Sequence, residues 1–359
     1  MDGLCPTHLH ARAMMVVQSI LKHMPDVISL QEVVLETDRM LRDLLRGVYH
    51  FVGEATRAGY YILTLVRVCD DFYIDENSPG KIEYCGAARS HMGRDLLCVN
   101  LVMSKGGQVV TLYNSHMESC KGESVPIRTA QLAYVYSRML DSNAGAAILS
   151  GDLNMRQAEQ KSAMKTVASN GRIVDCFEYF GRPTNAAQTW KVPEESADPS
   201  MARFKCRFDR VYHNSKDVAF VSYENDSDEN EIKMLGTKKQ KVVGSTEKCY
   251  PSDHFGMLIK FVLTSPARDN WKEKDLRKKS QESSKSITSS QVSKKVGAIT
   301  KHESPGQDNI TQKIENDRKI RRNKIAEAAE KRLLHTSDDH HERNRKIRKH
   351  SQEDIIDLT

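Results

Sequence analysis

Pro251-Ser252-Asp253-His254-Phe255-Gly256 leads into the apolar run Met257–Val262. A polar turn carrying a carboxylate and an imidazole just before a strand places both groups at one edge of a sheet. Three earlier runs close in the same way. Val27–Leu30 runs into Gln31-Glu32, Val109–Tyr113 into Asn114-Ser115-His116-Met117-Glu118, and Ala146–Leu149 into Ser150-Gly151-Asp152-Leu153-Asn154. Each is a short β-like stretch that ends in an acid, an amide or an imidazole. Strand ends that converge give a polar site on a rigid base.

Helical spacing separates these strands. Residues 11–23 carry Ala13, Val16, Val17, Ile20 and Leu21 at helical intervals, and Pro25 stops that helix before a buried strand over Asp26–Leu30. Asp38–Leu45 is a second amphipathic helix, and Pro126–Leu140, with Ile127, Ala130, Val135 and Met139 on one face, is a third. Tyr60–Val68, Leu96–Met103 and Phe208–His213 read as further strands, with Lys105-Gly106-Gly107 as a hairpin turn. Strands and helices mixed over about 260 residues predict an α/β fold, two packed mixed sheets flanked by helices. Asp226–Val243 is polar and highly charged and reads as an exposed insertion.

Composition changes after Thr264, which divides the 359 residues into a domain over 1–264 and a basic low-complexity tail over 265–359. The tail has 23 Lys/Arg against 16 Asp/Glu, an excess that accounts for the +6 of the whole chain. The body is therefore close to neutral, and any grip on a polyanion there must be local. Gln281–Gln291 is Ser-rich and expected to be disordered, whereas Asn316–Leu334, with Ala326, Ala328 and Ala329, suits a charged helix. The eight cysteines form no CxxC pair, which argues against structural zinc. Cys69, Cys98 and Cys176 sit in or beside apolar runs and read as reduced, buried thiols. No apolar stretch approaches the roughly 18 residues of a membrane span, and no charged-then-apolar leader opens the chain. A soluble protein of a reducing compartment is expected.

The polar strand ends collect Asp2, Glu32, His116, Asp152, Asn154, Asp209, Asp253 and His254. Carboxylates, amides and imidazoles without a thiolate favour a hard, oxygen-ligated ion such as Mg²⁺, which completes its shell with water and substrate phosphate. That chemistry suits hydrolysis of a phosphate ester. A nucleophilic serine fits less well. Ser115 and Ser252 have neighbouring histidines, but adjacent strand residues point to opposite faces, and there is no Gly-x-Ser-x-Gly elbow.

Leu30-Gln31-Glu32-Val33, Ser115-His116-Met117-Glu118-Ser119, Gly151-Asp152-Leu153-Asn154, Arg207-Phe208-Asp209-Arg210 and Ser252-Asp253-His254 resemble, in that order, the endonuclease/exonuclease/phosphatase superfamily. Met1-Asp2-Gly3-Leu4, Gly59-Tyr60, Ser119-Cys120-Lys121-Gly122, Asp152-Leu153-Asn154-Met155-Arg156, Thr189-Trp190 and Pro251–Gly256 are similar to its tyrosyl-DNA phosphodiesterase branch. The resemblance covers roughly residues 1–263. It implies a four-layer α/β sandwich and a Mg²⁺-dependent enzyme, with Mn²⁺ as a substitute ion. Its reaction would be hydrolysis of the 5′-phosphotyrosyl bond of DNA ends that carry trapped topoisomerase II. Residue by residue, Asp2 and Glu32 match metal ligands, Asp152 the acid/base and Asn154 a group that orients water or phosphate. His254, held by Asp209, and His116 match phosphate contacts. Tyr60, Trp190 and Phe208 match positions that hold the 5′ terminus, with Arg94, Lys121 and Arg156 as phosphate cations. Base stacking of this kind contributes roughly 1–3 kcal/mol per base.

Two departures matter. Met1 stands where the family has an Ile inside its first strand, so that strand is expected to be missing, Asp2 to sit on a free terminus, and activity to be weakened. Lys121 stands where an Arg is common, keeping charge but losing the bidentate fork. In the tail, Ile355, Ile356 and Leu358 among acids resemble a SUMO-interacting motif, which adds a strand to a partner's sheet edge. Arg318–Lys324 and Arg343–Lys349 suit nuclear import or nonspecific DNA contact, so a nuclear monomer is expected. Two other functions fit the same residues: another nuclease or phosphatase of the superfamily, and a non-catalytic DNA-end or SUMO adaptor.

Overall fold

The computed structural model describes residues 8–54, 59–120, 122–141, 146–167, 173–191, 205–214, 218–220, 232–242 and 245–263. Asp2, Lys121, the tail and its Ile355-Ile356-Asp357-Leu358 terminus lie outside them.

The chain opens with α1 (Leu9–His23), whose Ala13, Val17, Ile20 and Leu21 are buried along one face. It ends at Met24, in the left-handed region (φ 43°), because Pro25 cannot continue it. β1 (Val27–Val33) follows, then α2 (Leu35–Leu45), where the Thr37 hydroxyl accepts from Val34 N–H and donates to its carbonyl. β2 (Tyr49–Val52) and β3 (Tyr61–Arg67) complete a three-stranded antiparallel sheet of order β1-β3-β2. The larger sheet begins with β4 (Phe72–Ile74), β5 (Gly80–Glu83), β6 (Asp95–Met103) and β7 (Val109–His116). α3 (Ser124–Asp141) crosses over to β8 (Ala146–Asp152), which lies parallel to β7. α4 (Gln157–Val167) and β9 (Ile173–Asp175) follow. The pair β10 (Trp190–Lys191) and β11 (Lys205–Cys206) leads into β12 (Asp209–Asn214). The order β4-β6-β7-β8-β12-β9, with β5 also on β6, makes seven strands.

Three apolar clusters define four layers. Val17, Ile20 and Leu21 of α1 and Leu41, Leu44 and Leu45 of α2 pack on Leu30, Leu63 and Leu65 of the small sheet. Val66 of that sheet packs on Phe72, Val99, Leu101, Val110 and Leu112 of the large one. Leu132, Val135, Tyr136 and Met139 of α3, with Ala163 of α4, cover the outer face at Tyr113, Leu149 and Tyr212. The expected helix/sheet/sheet/helix sandwich is thus the observed one.

The inner interface changes from apolar to polar toward the site. Asn114 is 1 % exposed; its carbonyl accepts from Gln31 Nε2 (2.7 Å), and its amide donates to the Leu63 carbonyl (3.1 Å) and Thr64 Oγ1 (3.2 Å). Ser29 and Ser150 hydroxyls meet at 2.7 Å beside it. One side chain therefore pins both sheets in register at the level where the catalytic candidates begin.

Two readings are corrected. Met257–Val262 is not one strand: Gly256–Leu258 pairs with Lys233–Leu235, and Phe261–Leu263 pairs with Val218–Phe220. Different partners on either side of Ile259-Lys260 break the run. Residues 232–242, expected as part of an exposed insertion, belong to the fold, with Ile232 and Val242 buried. Their apolar residues were masked by the surrounding charge. β7 and β8 also run three residues further than their apolar stretches, because Asn114, Ser115, His116, Ser150, Gly151 and Asp152 all pair in the ladder.

Replacing Asn114 with Ala leaves Gln31 Nε2 and the Leu63 carbonyl without this buried partner. The variant is expected to lose about 2–3 kcal/mol of stability, read as a lower urea midpoint at unchanged denaturant slope.

Candidate active site

Strand register assembles the site. His116 of β7 lies opposite Asp152 of β8, and Asp152 lies opposite Asp209 of β12. Residues directly paired share a face, so one imidazole and two carboxylates stand in a row across three adjacent strand ends. The close approach of β7 and β8 requires glycine beside that row. At Gly151 (φ +146°) a Cβ would sit 2.0 Å from the Ser115 carbonyl oxygen.

Glu32 reaches the row from the other sheet. The β1–β3 register slips between Leu30 and Val33, and Glu32 occupies that bulge in the left-handed region (φ 54°). A bulge re-aims a side chain, and here Glu32 comes into the electrostatic range of Asp152, Asp253 and His254. Asp253 and His254 arrive on the loop after Pro251. His254 N–H donates to Ser252 Oγ (3.1 Å), and Trp190 Nε1 donates to Asp253 Oδ2 (3.1 Å). Thr189, fully buried, ties the segments together. Its hydroxyl accepts from Phe208 and Asp209 N–H (3.1 and 3.0 Å), and its carbonyl accepts from Phe255 N–H (2.7 Å).

Hydrogen bonding fixes both imidazoles. Arg94 Nη1 lies 2.5 Å from His116 Nδ1. A guanidinium only donates, so Nδ1 accepts and Nε2 carries the proton, facing Asp152 Oδ2 at 3.4 Å. Burial first, and then the Arg94 and His254 charges, hold the His116 pKa well below its ordinary value. His254 is the opposite case. Its Nδ1–H donates to Asp209 Oδ2 (2.8 Å), and its Nε2 lies 3.7 Å from Asp152 Oδ2. Burial would lower its pKa, but the Asp209 and Asp152 carboxylates outweigh that and raise it to about 10. A neutral donor and a cationic donor therefore flank one carboxylate.

Asp152 itself is 6 % exposed, and burial lifts its pKa to about 6 against the opposing His254 charge. Its Oδ1 accepts Asn154 N–H (2.8 Å); Asn154, itself left-handed (φ 50°), donates Nδ2–H to the Met117 carbonyl (3.2 Å). The Glu32 pKa is also raised, by burial foremost, with Asp253 and Asp152 adding to it.

Asp152, Asp209 and His254 offer ligand atoms within 4.8 Å of one another. A protonated imidazole has no lone pair for a metal, so this trio is an ion-paired relay rather than a ligand set. The donor set around Glu32 is different. The Asp253 and Asp152 carboxylates both raise the Glu32 pKa, and an acidic oxygen donor in such a field fits a hard divalent cation.

The aromatic candidates divide into two groups. Trp190 and Phe208 lie ring to ring at 5.4 Å, with Trp190 6.5 Å from the His254 ring. Tyr60 is across the site, 6.1 Å from the His116 ring and under the Arg94 guanidinium at 4.8 Å. Arg94 is 7 % exposed, so it belongs to the site wall rather than to a solvated face. Arg156 is exposed, one residue before α4, and its backbone N–H points to Glu159. The structure thus brings together Glu32, Tyr60, Arg94, His116, Asp152, Asn154, Trp190, Phe208, Asp209 and His254, while Asp2 and Lys121 fall outside the described residues. Thr189, next to Trp190 in sequence, joins these segments through hydroxyl contacts that carry no sequence signal.

A four-layer sandwich whose strand ends gather carboxylates and imidazoles defines a phosphoesterase class. The chain belongs to the Endonuclease/Exonuclease/phosphatase family, which it matches over residues 11–254. It is 28 % identical over 261 residues to Tyrosyl-DNA phosphodiesterase 2 of Homo sapiens and 26 % over 263 to that of Mus musculus. Each alignment covers 72 % of this chain, but the chain spans only 65 % and 63 % of those relatives. The crystal structure of D. rerio TDP2 complexed with single strand DNA product superposes with a TM-score of 0.58 at 26 % identity, covering 71 % of this chain and 93 % of that one. A mannosyl-6-phosphatase of Bacteroides thetaiotaomicron, at 18 % identity and TM-score 0.52, covering 71 % and 92 %, shares the fold.

The His254–Asp209 pair sets a pH dependence. A folded pKa of about 10 lies above the unfolded value near 6.5. The pair's stabilisation is therefore complete below about pH 6.5 and lost as pH rises through about 10. Imidazole ¹⁵N NMR should show both His254 nitrogens protonated at pH 8, and Asp209→Asn should bring the titration down toward neutrality.

Proposed function

We propose that the chain is a metal-dependent phosphodiesterase that hydrolyses the bond between a tyrosine and a 5′ DNA phosphate, leaving a 5′-phosphate. The observation that carries the reading is the Asp152 carboxylate between two imidazoles of unlike protonation. The name of the relatives and the DNA product in one of their structures support the substrate class.

In this reading Asp152 takes the proton of the attacking water; a base with a pKa near 6 is suited to neutral pH. His254 Nε2–H and His116 Nε2–H donate to the phosphoryl oxygens as charge builds on them. Asp209 keeps His254 cationic and oriented, and Arg94 keeps His116 in the tautomer that donates into the site. Asn154 orients water or a phosphate oxygen. The leaving phenolate has a reference pKa of about 10, so it departs without a strong dedicated acid. Glu32, with Asp2, would hold Mg²⁺ or Mn²⁺, which polarises a phosphoryl oxygen when bound. Trp190, Phe208 and Tyr60 offer rings to the terminal bases and tyrosine, with Arg94, Lys121 and Arg156 as phosphate cations. Topoisomerase II adducts are the natural substrates that fit, acted on by a nuclear monomer. Ile355, Ile356 and Leu358 would add SUMO binding.

The test is turnover of a 5′-phosphotyrosyl oligonucleotide against abasic DNA and poly(A). Preference for the tyrosyl substrate, lost on chelation and restored by Mg²⁺, is expected. Asp152→Asn and His254→Ala should each lower turnover by about 10² or more while DNA binding persists. Turnover left unchanged in both variants would remove the site assignment, and preference for abasic DNA or poly(A) would move the chain elsewhere in its family.

A further inference from the structure

The lysines of residues 232–249 are unused by the chemistry above. This segment holds Lys233, Lys238, Lys239, Lys241 and Lys248 against one acid, Glu247, in a body that is close to neutral. Glu247 is engaged by His8 Nε2 at 2.7 Å. Lys238, Lys241 and Lys248 are exposed. Gln240–Lys241 pairs antiparallel with Lys248–Cys249, which sets Lys241 directly opposite Lys248. Like charges facing each other across a strand pair repel, an arrangement that an anion between or above them relieves.

The lysine hairpin is built onto the catalytic loop at both ends. Before it, Lys233–Leu235 pairs with Gly256–Leu258, the residues just after His254. After it, Lys248–Cys249 runs through Tyr250 into Pro251, the start of the loop. Gly236 (φ +71°) turns against Pro251, so closely that a Cβ there would touch the proline ring at 3.6 Å. The buried Ile232, whose carbonyl accepts from Asn185 Nδ2 at 3.0 Å, anchors its base. The cationic surface is therefore joined to the His254 loop by strand pairing on one side and by direct chain continuity on the other. Lys248 precedes His254 by six residues, so the chain holds the two within about 20 Å, about six base-pair rises along a duplex.

We infer that Lys238, Lys241 and Lys248 form a second phosphate-binding surface that takes the DNA backbone several nucleotides beyond the end held at the active site. The inference rests on the DNA-end reading above and adds to it a site that sets affinity for long substrates without touching the reacting phosphate. Single-stranded and duplex DNA present the same backbone chemistry, and both serve as probes.

The experiment compares the full chain with the Lys238→Gln/Lys241→Gln/Lys248→Gln variant. Probes are 5′-phosphorylated 12-mers, single-stranded and duplex, and a 5′-phosphorylated dinucleotide, with binding titrated over a range of salt. On a 12-mer the variant should bind about tenfold more weakly. Its log K against log salt should be shallower by about two to three, since each lost contact removes about 0.9 on duplex and 0.7 on single strands. The inference places the lysines beyond the terminal nucleotides, so the dinucleotide should bind both proteins alike. The corresponding Lys→Arg variant should retain full affinity on the 12-mers. Binding is read without cleavage, so the result is independent of whether a tyrosyl bond is hydrolysed. Unchanged 12-mer affinity and salt slope, the outcome if the lysines serve solubility alone, overturns the inference. So does a loss in the arginine variant, or equal loss on the dinucleotide.

Discussion

Everything at the site depends on the pairing of His116, Asp152 and Asp209 across β7, β8 and β12. A slip of one residue in any of these strands would turn its polar side chain to the opposite face. Two features guard against it. Gly151 lets β8 approach the Ser115 carbonyl where any side chain would collide. Asn114, two residues before His116 and so on the same face, bonds to both β1 and β3 of the facing sheet. The polar seam costs apolar burial between the sheets, and it fixes register where register decides chemistry.

Given that row, the charge states follow from who touches whom. Two histidines flank Asp152 at similar distances, yet one is cationic and one neutral. The difference lies behind each ring. A carboxylate sits behind His254 and a guanidinium behind His116. Had both backed onto carboxylates, two imidazoliums would face each other across a single acid; had both backed onto arginines, Asp152 would lose its stabilising cation. The asymmetric arrangement keeps the buried acid ionisable near neutrality while presenting two N–H donors to the same small volume.

Much of this was legible in the sequence, for a physical reason. A strand closed by an acid or imidazole is visible because the apolar run and the polar stop differ sharply in composition. His116, Asp152, Glu32 and the Asp253-His254 loop were all found this way. The pairing partners were not, since register is set by long-range contacts that no local pattern encodes. The bulge at Glu32 shows the limit: Leu30-Gln31-Glu32-Val33 gives the right acid, but the slip against β3 that aims it appears only in the fold. β4, β5, β9 and α4 give no clear pattern because they are short or polar on most of their surface. The errors at residues 232–242 and 257–262 share a cause. Each overlaps one of the two three-residue strands, Lys233–Leu235 and Gly256–Leu258, that pair with each other, and neither has enough periodicity alone to be read.

That last pairing links chemistry to charge. The loop bearing Asp253 and His254 is bracketed by Lys233–Leu235 on one side and by the Lys241–Lys248 pair on the other. A body near neutrality has no long-range field with which to steer a polyanion. Local cations beside the site are the alternative: strand pairing places their backbone in advance, so only the ordering of the lysine side chains remains to be met on contact. Lys233–Leu235 is paired to the residues that follow His254 and Lys248–Cys249 runs straight into the loop before it, so a displacement of the hairpin is carried to the imidazole through strand pairing and chain continuity rather than through a long linker.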